Sequence, residues 1–143
     1  MVAHWSICVK ALRFLIVEDH PFQRKMLDHT LRELGAQQIV AVGNGLEAMR
    51  VLSDTPVDIV ITDLMMPDVD GIELLPKLRK MPGLSVILSS ADATSLEVAA
   101  VIAKANGVRL LGAIHKPLTP DRLRPLLQAY LTEAIAGGAS EPK

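Results

Sequence analysis

The segment "IVITDLMMPDVDG", residues 59–71, starts as a buried strand and then breaks its own pattern. Ile59, Val60, Ile61 and Thr62 are all β-branched, the kind of residue that fills the interior of a sheet. Asp63 follows at once, and then a Met-Met-Pro turn that carries Asp68 and Asp70. A carboxylate at the end of a buried strand is costly to desolvate unless something pairs with it. The partner has to come from elsewhere in the chain, so the spacing of the remaining elements matters.

Working outward, short apolar runs alternate with helical patterns. "LRFLIV" (12–17), "QIVAV" (38–42), "VDIVIT" (57–62), "SVILS" (85–89) and "RLLGAI" (109–114) read as five strands. Pro21, a favoured first helical residue, opens a helix in which Phe22, Met26, Leu27, Leu31 and Leu34 recur at helical spacing until Gly35. Asn44-Gly45 opens a second helix, with Leu46, Met49, Val51 and Leu52. Gly71 begins a short third one, with Pro76 awkward in its interior. Thr94-Ser95-Leu96-Glu97 has capping-box spacing before a fourth helix that Asn106-Gly107 ends. Thr119-Pro120 caps a fifth, which carries Leu123, Leu126, Leu127 and Tyr130. Five strands alternating with five helices through short loops imply an α/β fold, a parallel sheet covered on both faces.

Bulk properties narrow the function. The 143 residues suit one domain, half of them hydrophobic and only 3% aromatic, so aliphatic side chains fill the core. Fifteen basic and sixteen acidic residues give a net charge of −1, with no basic stripe for nucleic acid or a membrane surface. A lone cysteine, Cys8, excludes an intramolecular disulfide and a Cys-based metal cluster, and fits a reducing compartment. The opening "MVAHWSICVKALRFLIV" is broken by His4, Lys10 and Arg13 and lacks a signal-peptide cleavage site. No run approaches the ~18–20 apolar residues of a membrane span. The expectation is a soluble, cytoplasmic chain: an extension over 1–10, a domain over 11–134, and a flexible tail or linker start over 135–143.

In open parallel sheets, sites form outside the carboxyl ends of the strands. Glu18 and Asp19 follow the first strand, Asp63 the third, Ser89 and Ser90 end the fourth, and Lys116-Pro117 follows the fifth. Three carboxylates together repel one another unless a cation intervenes, and a hard divalent ion such as Mg²⁺ (or Mn²⁺) resolves that. An Asp beside bound metal can attack a phosphoryl group, with metal, lysine and hydroxyl stabilising the transferred oxygens.

"VEDH", "DLMMPDVDG", "LSSAD" and "HKPL", in that order on the strand ends, resemble the motifs of response-regulator receiver domains, the CheY-like phospho-accepting modules of two-component signalling. The resemblance covers about residues 11–133. It implies a flavodoxin-like (βα)5 three-layer sandwich with sheet order 2-1-3-4-5. It also implies Asp63 as phosphoacceptor, and Mg²⁺ held by Glu18, Asp19, Asp63 and the Met65 backbone carbonyl. Lys116 would contact the phosphoryl group, Ser90 would be the switch hydroxyl, Pro117 would follow a cis bond, and Pro67 and Gly71 would shape the turn. The implied partners are a sensor histidine kinase or phosphotransfer protein, and an output domain or target reached through the surface of the fourth helix, fifth strand and fifth helix. A homodimer is a further possibility under this resemblance. "EDHPFQR" and "GVRLLGAIHKPL" further resemble receivers fused to EAL-type cyclic-di-GMP phosphodiesterases.

The chain departs from the family at Ala113, where an aromatic usually tracks the switch hydroxyl; His115 alternates onto the same strand face. Met65 offers no side chain to orient a hydrolytic water, which leaves Asp92 for that role. An enzyme reading as a haloacid-dehalogenase-like phosphatase requires a second Asp two residues after the nucleophile, where Met65 stands. A flavodoxin would need hydroxyls and glycine where "EDHPF" places acids. The chain is therefore expected not to be an enzyme beyond its own phosphorylation and dephosphorylation. Taken singly, Glu18 and Asp19 read as a solvated strand end or helix cap, Asp68 and Asp70 as turn acids, and His20 as a helix-entry residue.

Overall fold

The computed structural model describes residues 9–63, 76–78, 80–81 and 83–140, with side chains to residue 133. Its strands are β1 (Arg13–Val17), β2 (Gln38–Val42), β3 (Ile59–Asp63), β4 (Ser85–Ser90) and β5 (Leu110–His115). The helices are α1 (Pro21–Glu33), α2 (Gly45–Asp54), α3 (seen at residues 76–78), α4 (Ala93–Ala105) and α5 (Pro120–Ser140). All strand pairings are parallel, in the order β2-β1-β3-β4-β5.

Side chains alternate along the strands, so each strand feeds two cores. Phe14, Ile16, Ile59, Ile61 and Ile87 pack under α1 and α5 through Leu27, Leu31, Leu123 and Leu127. Leu15, Val17, Val60, Val86 and Leu88 pack on the opposite face with Ala48 of α2, Leu78 of α3 and Leu96, Ala99 and Ala103 of α4. The central strands β3 and β4 are buried throughout, whereas edge strands β2 and β5 are only partly so. Val9 is fully buried and joins the α1/α5 core together with Leu12. At Gly112 in β5 an added Cβ would lie 2.8 Å from the Leu126 side chain, so the absence of a side chain there lets α5 sit close.

Two expectations change. Asp92, not Thr94, caps α4, because its carboxylate accepts from the Thr94 and Ser95 N–H groups, both at 3.3 Å. Among the helical-period residues, Phe22, Met26 and Leu46 are 65%, 49% and 59% exposed. Leu27 and Leu31 of α1, with Leu34 at its C-cap, take the core instead. The helix proposed from Gly71 is visible only at 76–78, and Pro67 and Gly71 lie outside the described residues. No helix among the described residues is long and apolar enough to cross a membrane.

Candidate functional site

The sheet delivers its polar residues to one edge. Glu18 directly follows β1, Asp63 closes β3, Ser90 closes β4, and Lys116 follows β5. Glu18 and Asp63 are 4% and 5% exposed. Glu18 is fixed on several sides. Its N–H donates to the Val42 carbonyl at 3.0 Å, its own carbonyl accepts from Arg24 Nη1 at 2.8 Å, and its Oε2 accepts from the His20 N–H at 3.1 Å. His20 takes the helix-entry role, its Nδ1 accepting from the Gln23 N–H at 3.4 Å. Carboxylate oxygens of Glu18, Asp19 and Asp63 lie within 4.8 Å of one another.

Lys116 reaches into this group. Its Nζ donates to Glu18 Oε1 at 2.7 Å, to Asp63 Oδ2 at 3.0 Å and to Gln23 Oε1 at 2.5 Å. The Lys116 N–H donates to the Ser90 carbonyl at 2.9 Å, and the Lys116–Pro117 peptide bond is cis. Burial pushes the Glu18 carboxyl above its ordinary range, against the hydrogen bonds from Lys116 and the His20 N–H; the charge of Asp63 adds to the rise. Burial alone would lower Lys116, but its hydrogen bonds to Glu18 and Asp63, and their charges, outweigh it and hold the amine raised.

Three carboxylates face the single positive charge of Lys116, so the cluster has room for a divalent cation in its charge balance. The donors are all oxygen, and a small hard ion such as Mg²⁺ or Mn²⁺ suits them. The Met65 carbonyl lies outside the described residues.

The hydroxyls divide as neighbours with different duties. Ser89 Oγ donates to the Thr62 carbonyl at 3.4 Å, inside the sheet. Ser90, fully buried, accepts from the Asp92 N–H at 3.0 Å, which leaves its own proton for another acceptor. Asp92 itself is taken up by capping: its carboxylate also accepts from Ser95 Oγ at 2.5 Å, and that hydrogen bond is the first reason its pKa is lowered. Ala113 and His115 are exposed, and the His115 ring approaches the Lys116 carbonyl through Nδ1 at 2.8 Å.

No motif of the sequence points to Gln23. The available signal was its place in the first turn of the helix that starts beside the acids. It sits in a cleft of about 530 Å³ between α1 and the β5–α5 connection, where Glu18 and Lys116 meet Phe22, Met26 and Leu118.

Comparison with known proteins agrees with this geometry. The family model for the response regulator receiver domain matches residues 14–128. A chemotaxis protein CheY homolog from Campylobacter jejuni is 31% identical over 134 residues, which are 91% of this chain and 100% of that protein. Sensor histidine kinase RcsC from Salmonella typhi is 33% identical over 119 residues, 83% of this chain but only 12% of the kinase's length. Among solved structures, response regulator protein TrrA from Thermotoga maritima, in complex with Mg²⁺–BeF, superposes with a TM-score of 0.70 at 27% identity. That match covers 82% of this chain and 97% of TrrA. With its parallel 2-1-3-4-5 sheet and its acids gathered at the strand ends, the chain belongs to the response regulator receiver domain family.

Proposed function

We propose that Asp63 accepts a phosphoryl group from the phosphohistidine of a sensor histidine kinase or phosphotransfer protein. The observation that carries this is Lys116 Nζ bridging Glu18 and Asp63 within a cluster of three carboxylates. An Asp63 oxygen attacks phosphorus and forms the O–P bond. The P–N bond of the donor breaks, and the departing imidazole nitrogen keeps the electron pair and takes a proton from solvent. Mg²⁺ or Mn²⁺ held by Glu18, Asp19 and Asp63, with the Met65 carbonyl as a fourth donor, would neutralise charge on the phosphoryl oxygens.

Lys116 gives an N–H to the transferred group. Ser90 turns its remaining proton toward it, which biases the surface of α4, β5 and α5 between two states. That surface addresses an output domain or target protein. With Ala113 in place of an aromatic, the readout runs through Ser90 and the backbone link from Ser90 to Lys116. The exposed Phe22 and Met26 beside the site offer apolar anchorage to the donor protein.

The test is incubation with Mg²⁺ and acetyl phosphate, read by intact mass. One phosphoryl group should be gained by the wild type and none by Asp63→Asn. Equal gain in both would assign the chemistry to another residue.

A further inference from the structure

The Lys116 ammonium has three N–H donors, and its three acceptors here are Glu18 Oε1, Asp63 Oδ2 and Gln23 Oε1. Two of these acceptors are anions of the cation cluster. The third is a neutral amide on α1, 93 positions away in sequence. Glu18 and Asp63 would be shared between Lys116 and a divalent ion held by the carboxylates, whereas Gln23, whose neutral oxygen is the weaker ligand for such an ion, would stay with Lys116. Lysine also has a long stem with rotamer freedom to lose, so an amine released by its anions needs something to hold it.

We propose that Gln23 is a positioning residue for Lys116, the anchor that keeps its ammonium at the mouth of the site while one N–H is handed from Glu18 to the phosphoryl group. This rests on Asp63 being the phosphoacceptor. The contacts that place the Gln23 backbone are local. The His20 ring caps its N–H at 3.4 Å, the next residue's N–H donates to the His20 carbonyl at 2.9 Å, and the Arg24 guanidinium ties the helix entry to the Glu18 carbonyl at 2.8 Å. Position 23 is exposed, so a substitution there leaves the core intact. A surface glutamine with no role would tolerate loss of its acceptor without consequence for either the lysine or the reaction.

The experiment compares wild type, Gln23→Leu and Gln23→Glu in the full chain. In metal-free protein at low temperature, the ¹H–¹⁵N signal of the Lys116 ammonium reports its exchange with solvent. Exchange should speed up in Gln23→Leu and return toward wild type in Gln23→Glu, which restores an acceptor. With Mg²⁺ and saturating acetyl phosphate, the first-order rate of phosphoryl gain should fall about 5-fold in Gln23→Leu, with the half-saturating acetyl phosphate concentration little changed. Wild-type ammonium exchange, or a wild-type rate, in Gln23→Leu overturns the proposal. Should the wild type itself gain no phosphoryl group, the reading of Asp63 fails instead. The ammonium exchange, measured without metal or donor, then decides by itself whether Gln23 anchors Lys116.

Discussion

Strands β1 and β3 carry a cation–carboxylate cluster at each end, and the two clusters are built differently. At the amino end, Arg13 donates from Nε to Asp58 Oδ2 and from Nη2 to Oδ1, both at 3.1 Å, and from its main-chain N–H to Oδ2 at 2.8 Å. One charge meets one charge, and both side chains keep solvent, at 43% and 21% exposure. The hydrogen bonds that the Arg13 side chain donates to Asp58, and then the charge of Asp58, raise the Arg13 pKa. At the carboxyl end, the side chains of Lys116, Glu18 and Asp63 are 17%, 5% and 6% exposed, and a third carboxylate, Asp19, stands close by. The first cluster is a closed clasp. The second is crowded, buried and unbalanced in charge, an arrangement that burial and repulsion make costly without a ligand.

The contrast breaks most visibly under phosphorylation. Lys116→Ala should slow phosphoryl gain roughly 100-fold, the scale of losing one stabilising charge at developing oxyanions, while Asp58→Ala proceeds at the wild-type rate. A slowed Asp58→Ala, in time courses of intact mass, would mean the two ends are coupled through the strands. Cation binding separates them next. At about 100 times its dissociation constant, Mg²⁺ should add about 2.7 kcal/mol to unfolding stability. Thermal melts should show that increment in wild type and Asp58→Ala and lose most of it in Glu18→Gln. An equal gain in Glu18→Gln would remove Glu18 from the cation site.

Much of this was legible in sequence. Apolar runs ending in Glu18, Asp63, Ser90 and Lys116 mark both the parallel sheet and the edge where these residues gather, because strand period is local, whereas the order of the strands came only with the family resemblance. The closed clasp was not legible, since nothing local in Arg13 or Asp58 says that residues 45 positions apart will meet. For Gln23 the first turn of α1 marks only nearness to the acids, and says nothing of a lysine 93 positions away that reaches it. Phe22 and Met26 obey the helical period yet stay exposed, because α1 begins beside the site and its first turns border the cleft. Period assigns a face to a helix without saying how much of that face the sheet underlies. The capping signal at Thr94 lost to Asp92, whose carboxylate, two residues earlier on extended backbone, reaches two free N–H groups at once.

Smaller effects belong to the clasp. Asp58→Ala removes the acceptor of the Arg13 main-chain N–H, a hydrogen bond worth about 1 kcal/mol, and denaturant unfolding should show a loss of that order. Full retention of stability would mean that water replaces the carboxylate without cost.

The last effect is one of pH. Tyr130, on α5, has its phenol pKa raised from 10.0, first by burial and then by the negative charge of Asp58, with Arg109 and Arg13 opposing. A raised pKa means the folded chain holds that proton more tightly than the unfolded one. The stability it contributes is therefore complete below the ordinary tyrosine value and disappears as pH climbs through the raised one. Tyr130 is the single tyrosine of the chain, so phenolate absorbance reports it alone. In Asp58→Ala the phenolate should appear at lower pH, because the charge disfavouring it is gone, though burial keeps it above the ordinary value. Coincident titrations of wild type and Asp58→Ala would show that solvent screens the Asp58 charge completely as seen from Tyr130. The clasp would then be electrostatically silent beyond its own two side chains, and its difference from the crowded end of the sheet sharper still.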